Sequence, residues 1–299
     1  MKLVKKLALA ALTLVGVIGL AGCVQGGVNK SIITMKGNTV TIEDFYAQAK
    51  TFPSAPATTL LQNLTFSKIF EKEFGTQVTQ KDVDAKIATA RAAYSNASAF
   101  TSALGQQGYT EASYKELVRL QLLQQKAIDK EVKATQFTTA NLKAAWATYH
   151  PEVDTYVVGN SSQSAAQQAH DLAKSNLDQF KTQAKDNKLE MKFDSASTKL
   201  PSDVMTAAFK LKDGAVSDVI TVQNADGSST YYVVYMIKNP GKGTDMNKYK
   251  TQLENYIMTQ KEQDSTFVQG VIKQYLTKYN VTVKENSFSN IFSNFSGVQ

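Results

Sequence analysis

Cysteine is almost absent from this chain: Cys23 is the only one in 299 residues. Disulfides, thiolate metal sites and a cysteine nucleophile are therefore excluded from the body of the protein. Histidine is nearly as scarce. His150 precedes Pro151 and His170 sits in an alanine- and glutamine-rich stretch, so neither belongs to a ligand cluster. No G-x-S-x-G, H-E-x-x-H or G-x-G-x-x-G occurs. Gly241-Lys242-Gly243-Thr244 lacks the spacing of a phosphate loop and reads as a linker. No metal and no cofactor is expected. Basic clusters are missing too. The net charge of +7 includes Lys2, Lys5 and Lys6; without them 30 basic residues face 26 acidic ones, a balance of +4 spread along the chain. Nucleic acid is not an expected partner of such a dispersed surface, while an anionic envelope remains open.

The N-terminal stretch is the first positive signal. Three lysines precede an uncharged apolar run, Leu7 to Leu20, which is short for a membrane span, and small residues lead into Cys23. That is the pattern of a secretory signal peptide over residues 1–22. Its ending, Leu20-Ala21-Gly22-Cys23, resembles the lipobox of bacterial lipoproteins. The resemblance implies that Cys23 is lipidated and becomes the new N-terminus, with residues 23–30 as a flexible leash. The expected location is the outer face of the cell membrane, held by lipid.

The full sequence is 42% hydrophobic and 20% charged, enough for real cores. Residues 31–150 are mostly helical in pattern after a short strand pair, Ser31–Met35 and Thr39-Val40. Thr41-x-x-Asp44 and Thr79-x-x-Asp82 are capping boxes. Leu60, Leu61, Leu64, Ile69, Phe70 and Phe74 form a helical apolar face stopped by Gly75. A further capped helix follows Thr110, and another runs from Thr139 through Tyr149. Residues 151–240 change character. A strand at Val153–Val158 is followed by helices at 165–177 and 177–188 and by a helical turn after Pro201. A hairpin then folds about Asn224-Ala225-Asp226-Gly227 between Val219–Val222 and Tyr231–Ile237. Residues 241–299 begin with a hinge and continue as one long helix with an apolar side from Met246 to Leu276, ended by Asn280 and a short strand at Val281–Val283. Such a stripe needs a partner. The economical plan is an α+β protein: a discontinuous helical domain made of both ends, with the α/β segment 151–240 inserted.

This order resembles the PrsA and PrtM foldase lipoproteins of Gram-positive bacteria. The pieces that carry the likeness are Val40-Thr41-x-x-Asp44-Phe45-Tyr46, Val78-Thr79-x-x-Asp82-Val83-Asp84 and Ala207-Ala208-Phe209-Lys210-Leu211-Lys212-Asp213-Gly214-Ala215-Val216-Ser217. It covers nearly the whole chain after the signal. It implies a chaperone domain around a parvulin-type peptidyl-prolyl isomerase, with unfolded or partly folded secreted proteins as partners, membrane contact through the lipid, and a homodimer left open. Residue by residue, the family's catalytic positions are altered. Thr155 stands where parvulins have the first histidine, and Tyr232 where they have the second. Leu200 and Val204 stand for the methionine and phenylalanine of the proline pocket. Thr221 keeps the family identity, and the Gly-Gly-Asp-Leu-Gly segment has no match between Glu190 and Lys199. The resemblance implies client contacts at Leu200, Val204, Phe209 and Tyr232 and isomerase activity that is weak or lost. Two other classes compete. A solute-binding lipoprotein of a transporter would need two α/β lobes, which residues 31–150 do not offer. A structural or adhesion lipoprotein would need no groove.

Overall fold

The computed structural model describes residues 30–186 and 190–295; the signal segment and Cys23 lie outside them. Contacts divide the chain into two compact units, Met1–Ala134 with Glu262–Gln299, and Thr135–Lys261. In chain order the first unit starts with β1 (Ser31–Met35), β2 (Asn38–Thr41), α1 (Ile42–Thr51), α2 (Ala57–Phe74), α3 (Gln80–Arg91), α4 (Ala97–Gln106) and α5 (Glu111–Thr135). The second contains α6 (Thr139–Thr148), β3 (Val153–Asn160), α7 (Gln163–Ser175), α8 (Leu177–Asp186), β4 (Glu190–Phe193) and α9 (Ser202–Ala208). It ends with β5 (Ile220–Gln223), β6 (Ser229–Lys238) and α10 (Lys250–Gln263), after which α11 (Ser265–Lys278) and β7 (Thr282–Val283) complete the first unit. Among the described residues no helix is long and apolar enough to cross a membrane.

In the first unit both capping boxes form. The Thr41 hydroxyl accepts from Asp44 N, and the Asp44 carboxylate accepts from Thr41 N at 2.9 Å; Thr79 and Asp82 repeat the exchange. Each satisfies amide groups that the first helical turn leaves open. α2 stops where Gly75 follows it. Its Phe66, Phe70 and Phe74 recur every fourth residue and so share one face. Phe70 and Phe74 meet Tyr275 of α11, with ring centres 5.2 and 5.9 Å away, and Phe66 meets Phe292 at 5.9 Å. Arg119 of α5 fastens the end of α2. Its guanidinium donates twice to Glu71, and also to the carbonyls of Gly75 and Val78. The short strand at the end completes a sheet of order β2-β1-β7.

The expectation of one long helix after the hinge is not met. The helical run breaks at Asp264, whose side chain accepts from Phe267 N at 3.1 Å and caps a second helix. An N-cap residue takes extended backbone angles, so the apolar stripe belongs to two helices.

In the second unit an antiparallel sheet of order β4-β3-β6-β5 separates two cores. Tyr156, Val158 and Val233 face Ala166, Ala169 and Ala173 of α7 and Phe180 of α8. On the other face Val153, Val157, Val234 and Met236 pack against Val204 and Ala208 of α9. β3 is central and buried on both sides, which explains its unbroken apolar run. The hairpin turn forms as its residues suggest, with Gly227 at φ +79° donating to the Asn224 carbonyl at 3.0 Å.

The capping boxes make the first unit sensitive to acid. Burial acts to raise the Asp44 carboxyl, but hydrogen bonds from the Thr41 backbone and Lys68 hold it below its ordinary 3.8. Asp82 is held down by the Thr79 backbone. A carboxyl depressed on folding contributes stability above its unfolded value, and that contribution is lost as pH falls through the lower folded value. Urea denaturation should therefore show stability falling below about pH 4, with a flatter slope in an Asp44→Asn/Asp82→Asn double variant. Thr41→Ala should destabilise the unit by about 1 kcal/mol at neutral pH.

Candidate functional site

The two faces of the second sheet decide where each candidate residue lies. Side chains alternate along a strand, so Thr155, Val157 and Gly159 of β3 share the α9 face with Met236, Val234 and Tyr232 opposite them. Leu200, at the entrance to α9, and Phe209, at its end, pack against the same core. Leu200, Val204, Phe209 and Tyr232 are thus brought to one face. Their exposures differ. Val204 is fully buried and belongs to the core, whereas Leu200, Phe209 and Tyr232 are half-buried and present apolar surface. Met191 of β4 and Ile220 and Val222 of β5 are also half-buried around that core.

Thr155 is fully buried, and its hydroxyl donates to the Met191 carbonyl at 2.9 Å. That bond satisfies the only donor the side chain has. Thr155 therefore ties β3 to β4 and has no proton to offer a client. It also stands apart from Tyr232. Tyr232 lies opposite Gly159, four residues along β3 from Thr155, or about 13 Å at about 3.3 Å per residue. Val157 and Val234 occupy the space between. Thr221 is exposed and lies opposite Tyr231, on the other face of the sheet from Tyr232 and Leu200. It does not join them.

Tyr232 is the polar group on the apolar face. Burial raises its phenol above the ordinary 10, and no charged group among the described residues contributes. The proton stays on oxygen through the neutral range, so the side chain is a neutral donor. Its placement depends on Gly159. A Cβ at that position would stand 3.0 Å from Cε1 and 3.3 Å from Cδ1 of the Tyr232 ring. Bare backbone lets the ring lie across β3.

Sequence reasoning missed His150. Its ring stacks on Phe209, with centres 4.3 Å apart and planes 10° from parallel. His150 N donates to the Ser195 hydroxyl at 2.7 Å, and Ser195 N donates back to the His150 carbonyl at 3.1 Å. Nothing local in the sequence announces a pairing across about sixty residues. Met191 was missed as well; the polar–apolar alternation of Glu190-Met191-Lys192-Phe193 is the signal that marks its strand. Among the described residues no group of acidic, histidine and cysteine side chains is placed to hold a metal.

A family model described as the PPIC-type PPIASE domain matches residues 148–251. The chain is 51% identical over 299 residues to the foldase protein PrsA of Lactococcus lactis subsp. lactis, covering 98% of this chain and 96% of that one. It is 36% identical to the foldase protein PrsA of Streptococcus gordonii, with 98% and 96% covered. A crystal structure of the Lactococcus lactis foldase protein is similar with a TM-score of 0.69 at 52% identity, covering 90% of this chain and all of the other. None of these supports a solute-binding lipoprotein.

The Thr155 assignment is open to measurement. Thr155→Val keeps the shape and leaves the Met191 carbonyl without its donor, so it should cost about 1 kcal/mol in urea denaturation. Proline isomerisation by the variant should match the unaltered protein. A matching stability with a large change in rate would mean that the hydroxyl serves a client.

Proposed function

The chain belongs to the PrsA foldase family, and from that premise we propose that its isomerase domain holds extended polypeptide while catalysing proline rotation only weakly. The protein is a foldase with a parvulin-type domain. The finer reading concerns the chemistry that domain retains. The observation that carries it is the commitment of Thr155: its hydroxyl is spent on the neighbouring strand, which leaves Tyr232 as the polar donor on an apolar face.

Rotation about a peptide bond faces a barrier of about 18–20 kcal/mol. An apolar surface lowers it by withdrawing water from the amide, and a donor lowers it further by bonding the twisted form. One neutral hydrogen bond contributes about 0.5–1.5 kcal/mol net, so the Tyr232 phenol supplies at most about a tenfold acceleration. Leu200, Phe209 and Tyr232 offer non-directional contact that suits clients of varied sequence.

The same reading extends to the rest of the chain. The helical parts on both sides of the α/β segment form a chaperone domain that suppresses aggregation without nucleotide. Cys23 carries the lipid, the body lies on the outer face of the membrane, and secreted proteins in the course of folding are the clients. The support is the lipobox pattern and the family.

Two experiments test this. Stopped-flow isomerisation of a proline peptide should show acceleration within about tenfold of the uncatalysed rate. Tyr232→Phe should lower it, and Gly159→Val, which displaces the ring but keeps the phenol, should do the same. An acceleration of about a thousandfold would overturn the proposal. For anchoring, Cys23→Ala should abolish labelling by a radioactive fatty acid and release the protein from the membrane fraction. Equal label on both forms would refute lipidation at Cys23.

A further inference from the structure

α9 has a second working face. Val204 and Ala208 turn toward the sheet and Ser202 and Thr206 lie opposite them, while Met205 and Phe209, which also pack against the sheet core, border the same outer stripe at i, i+3, i+4 and i+7 spacing. That stripe is one wall of a cleft of about 560 Å³, contained within the second unit. The other walls are the segment from Ala147 to Pro151, Ser195, and Tyr256 of α10. This volume falls within the range of about 300–1,000 Å³ found for ligand sites.

The cleft is built rather than incidental. His150 is stacked on Phe209 and held by its reciprocal bonds to Ser195. Lys242 donates to the carbonyls of Trp146, Ala147 and Tyr149, which fixes the end of α6 at the rim. Its charge also suits the negative end of that helix. The charged side chains that line the cleft are both lysines, with Asp194 and Glu152 beside it. Lys210 and Lys242 line it, and no carboxylate does. Asp194 lies close by, but its oxygens accept from the Tyr149 hydroxyl and from Ala196 N. Lys210 is exposed and makes no ion pair among the described residues.

We propose that this cleft is a second polypeptide-binding site, which takes an extended segment bearing an aromatic anchor beside an acidic residue. The ring fits between Met205, Phe209 and Tyr256, and the carboxylate meets Lys210. The hydroxyls of Ser202 and Thr206 face the backbone of the bound segment. An anionic polymer such as a polyol phosphate would use the lysines and leave the apolar floor idle, so the floor favours polypeptide. The proposal rests on the foldase reading in taking polypeptide as ligand; Phe209 borders both surfaces, but the site does not depend on isomerisation at Tyr232.

Fluorescence anisotropy on the mature, unlipidated chain tests it with a labelled, proline-free peptide in which phenylalanine is flanked by aspartates. Binding should weaken with added salt. It should fall by about tenfold or more when the aspartates become lysines, and likewise when the phenylalanine becomes serine. Lys210→Glu should produce a comparable loss, as should Thr206→Trp, which fills the cleft from an exposed position. Far-UV circular dichroism checks that both variants fold. Equal affinity for the acidic and lysine peptides, or unchanged binding in both variants, would overturn the proposal. So would polyglycerol phosphate binding as tightly as the peptide with the phenylalanine making no difference. Tyr232→Phe should leave this binding intact, so failure of the isomerase reading and failure of this one are told apart.

Discussion

The pairing of β3 with β6 is the constraint on which the second unit depends. Val157 lies opposite Val234, and every assignment of a side chain to one face or the other follows from that register. A slip of one residue would exchange the faces. Tyr156 and Val158 would leave the α7–α8 core, and Tyr232 would turn away from α9. Burial resists the slip strongly. Val157 and Val234 are almost completely buried, and so are Val158 and Val233 on the other side. Each such side chain contributes about 1.5–3 kcal/mol when removed from water, so both cores penalise the wrong register together. The register shift between Asp154 and Thr155 is absorbed at the start of the strand and leaves the pairs beyond it regular.

The register also sets where the polar side chains of the α9 face stand. A catalytic floor needs donors within hydrogen-bonding reach of one client atom, about 3 Å from each. The positions held by Thr155 and Tyr232 are separated along the strand by a buried valine pair. Thr155 has settled into the sheet as a cross-strand tie. Among the described residues, the Tyr232 phenol stands on apolar surface there, its ring lying across β3 because residue 159 has no side chain.

How much of this was legible in the sequence depended on the range of the interaction. The two capping boxes and the Asn224–Gly227 turn are made by residues three or four apart, and both were visible as patterns. The sharing of one face by Leu200, Phe209 and Tyr232 came from the family resemblance, since no periodicity connects three separate elements. The break at Asp264 was hidden because apolar residues continue on both sides of it at helical spacing. Its cap lacks the reciprocal acidic partner that made Thr41 and Thr79 conspicuous: residue 267 is Phe, whereas residues 44 and 82 are Asp. The exposed edge position of Thr221 was hidden for a related reason. Retaining a family residue says nothing of which way a short edge strand turns it.

The contrast between the two faces of α9 follows from the same physics. Seven residues make only two turns, too few for helical propensity to hold the element without tertiary support. Its position is fixed instead by Val204 and Ala208 against the sheet and by Asn239, whose amide donates to the Phe209 and Leu211 carbonyls at 3.1 and 2.7 Å. Those bonds hold the chain just beyond the helix, where the last carbonyls lack partners of their own. Once the inner face is fixed in this way, the outer face is free to vary without cost to the fold. The exposed Ser202 and Thr206 can therefore be chosen for what passes by in solvent, whereas Val204 and Ala208 cannot, and Met205 packs partly against the sheet core.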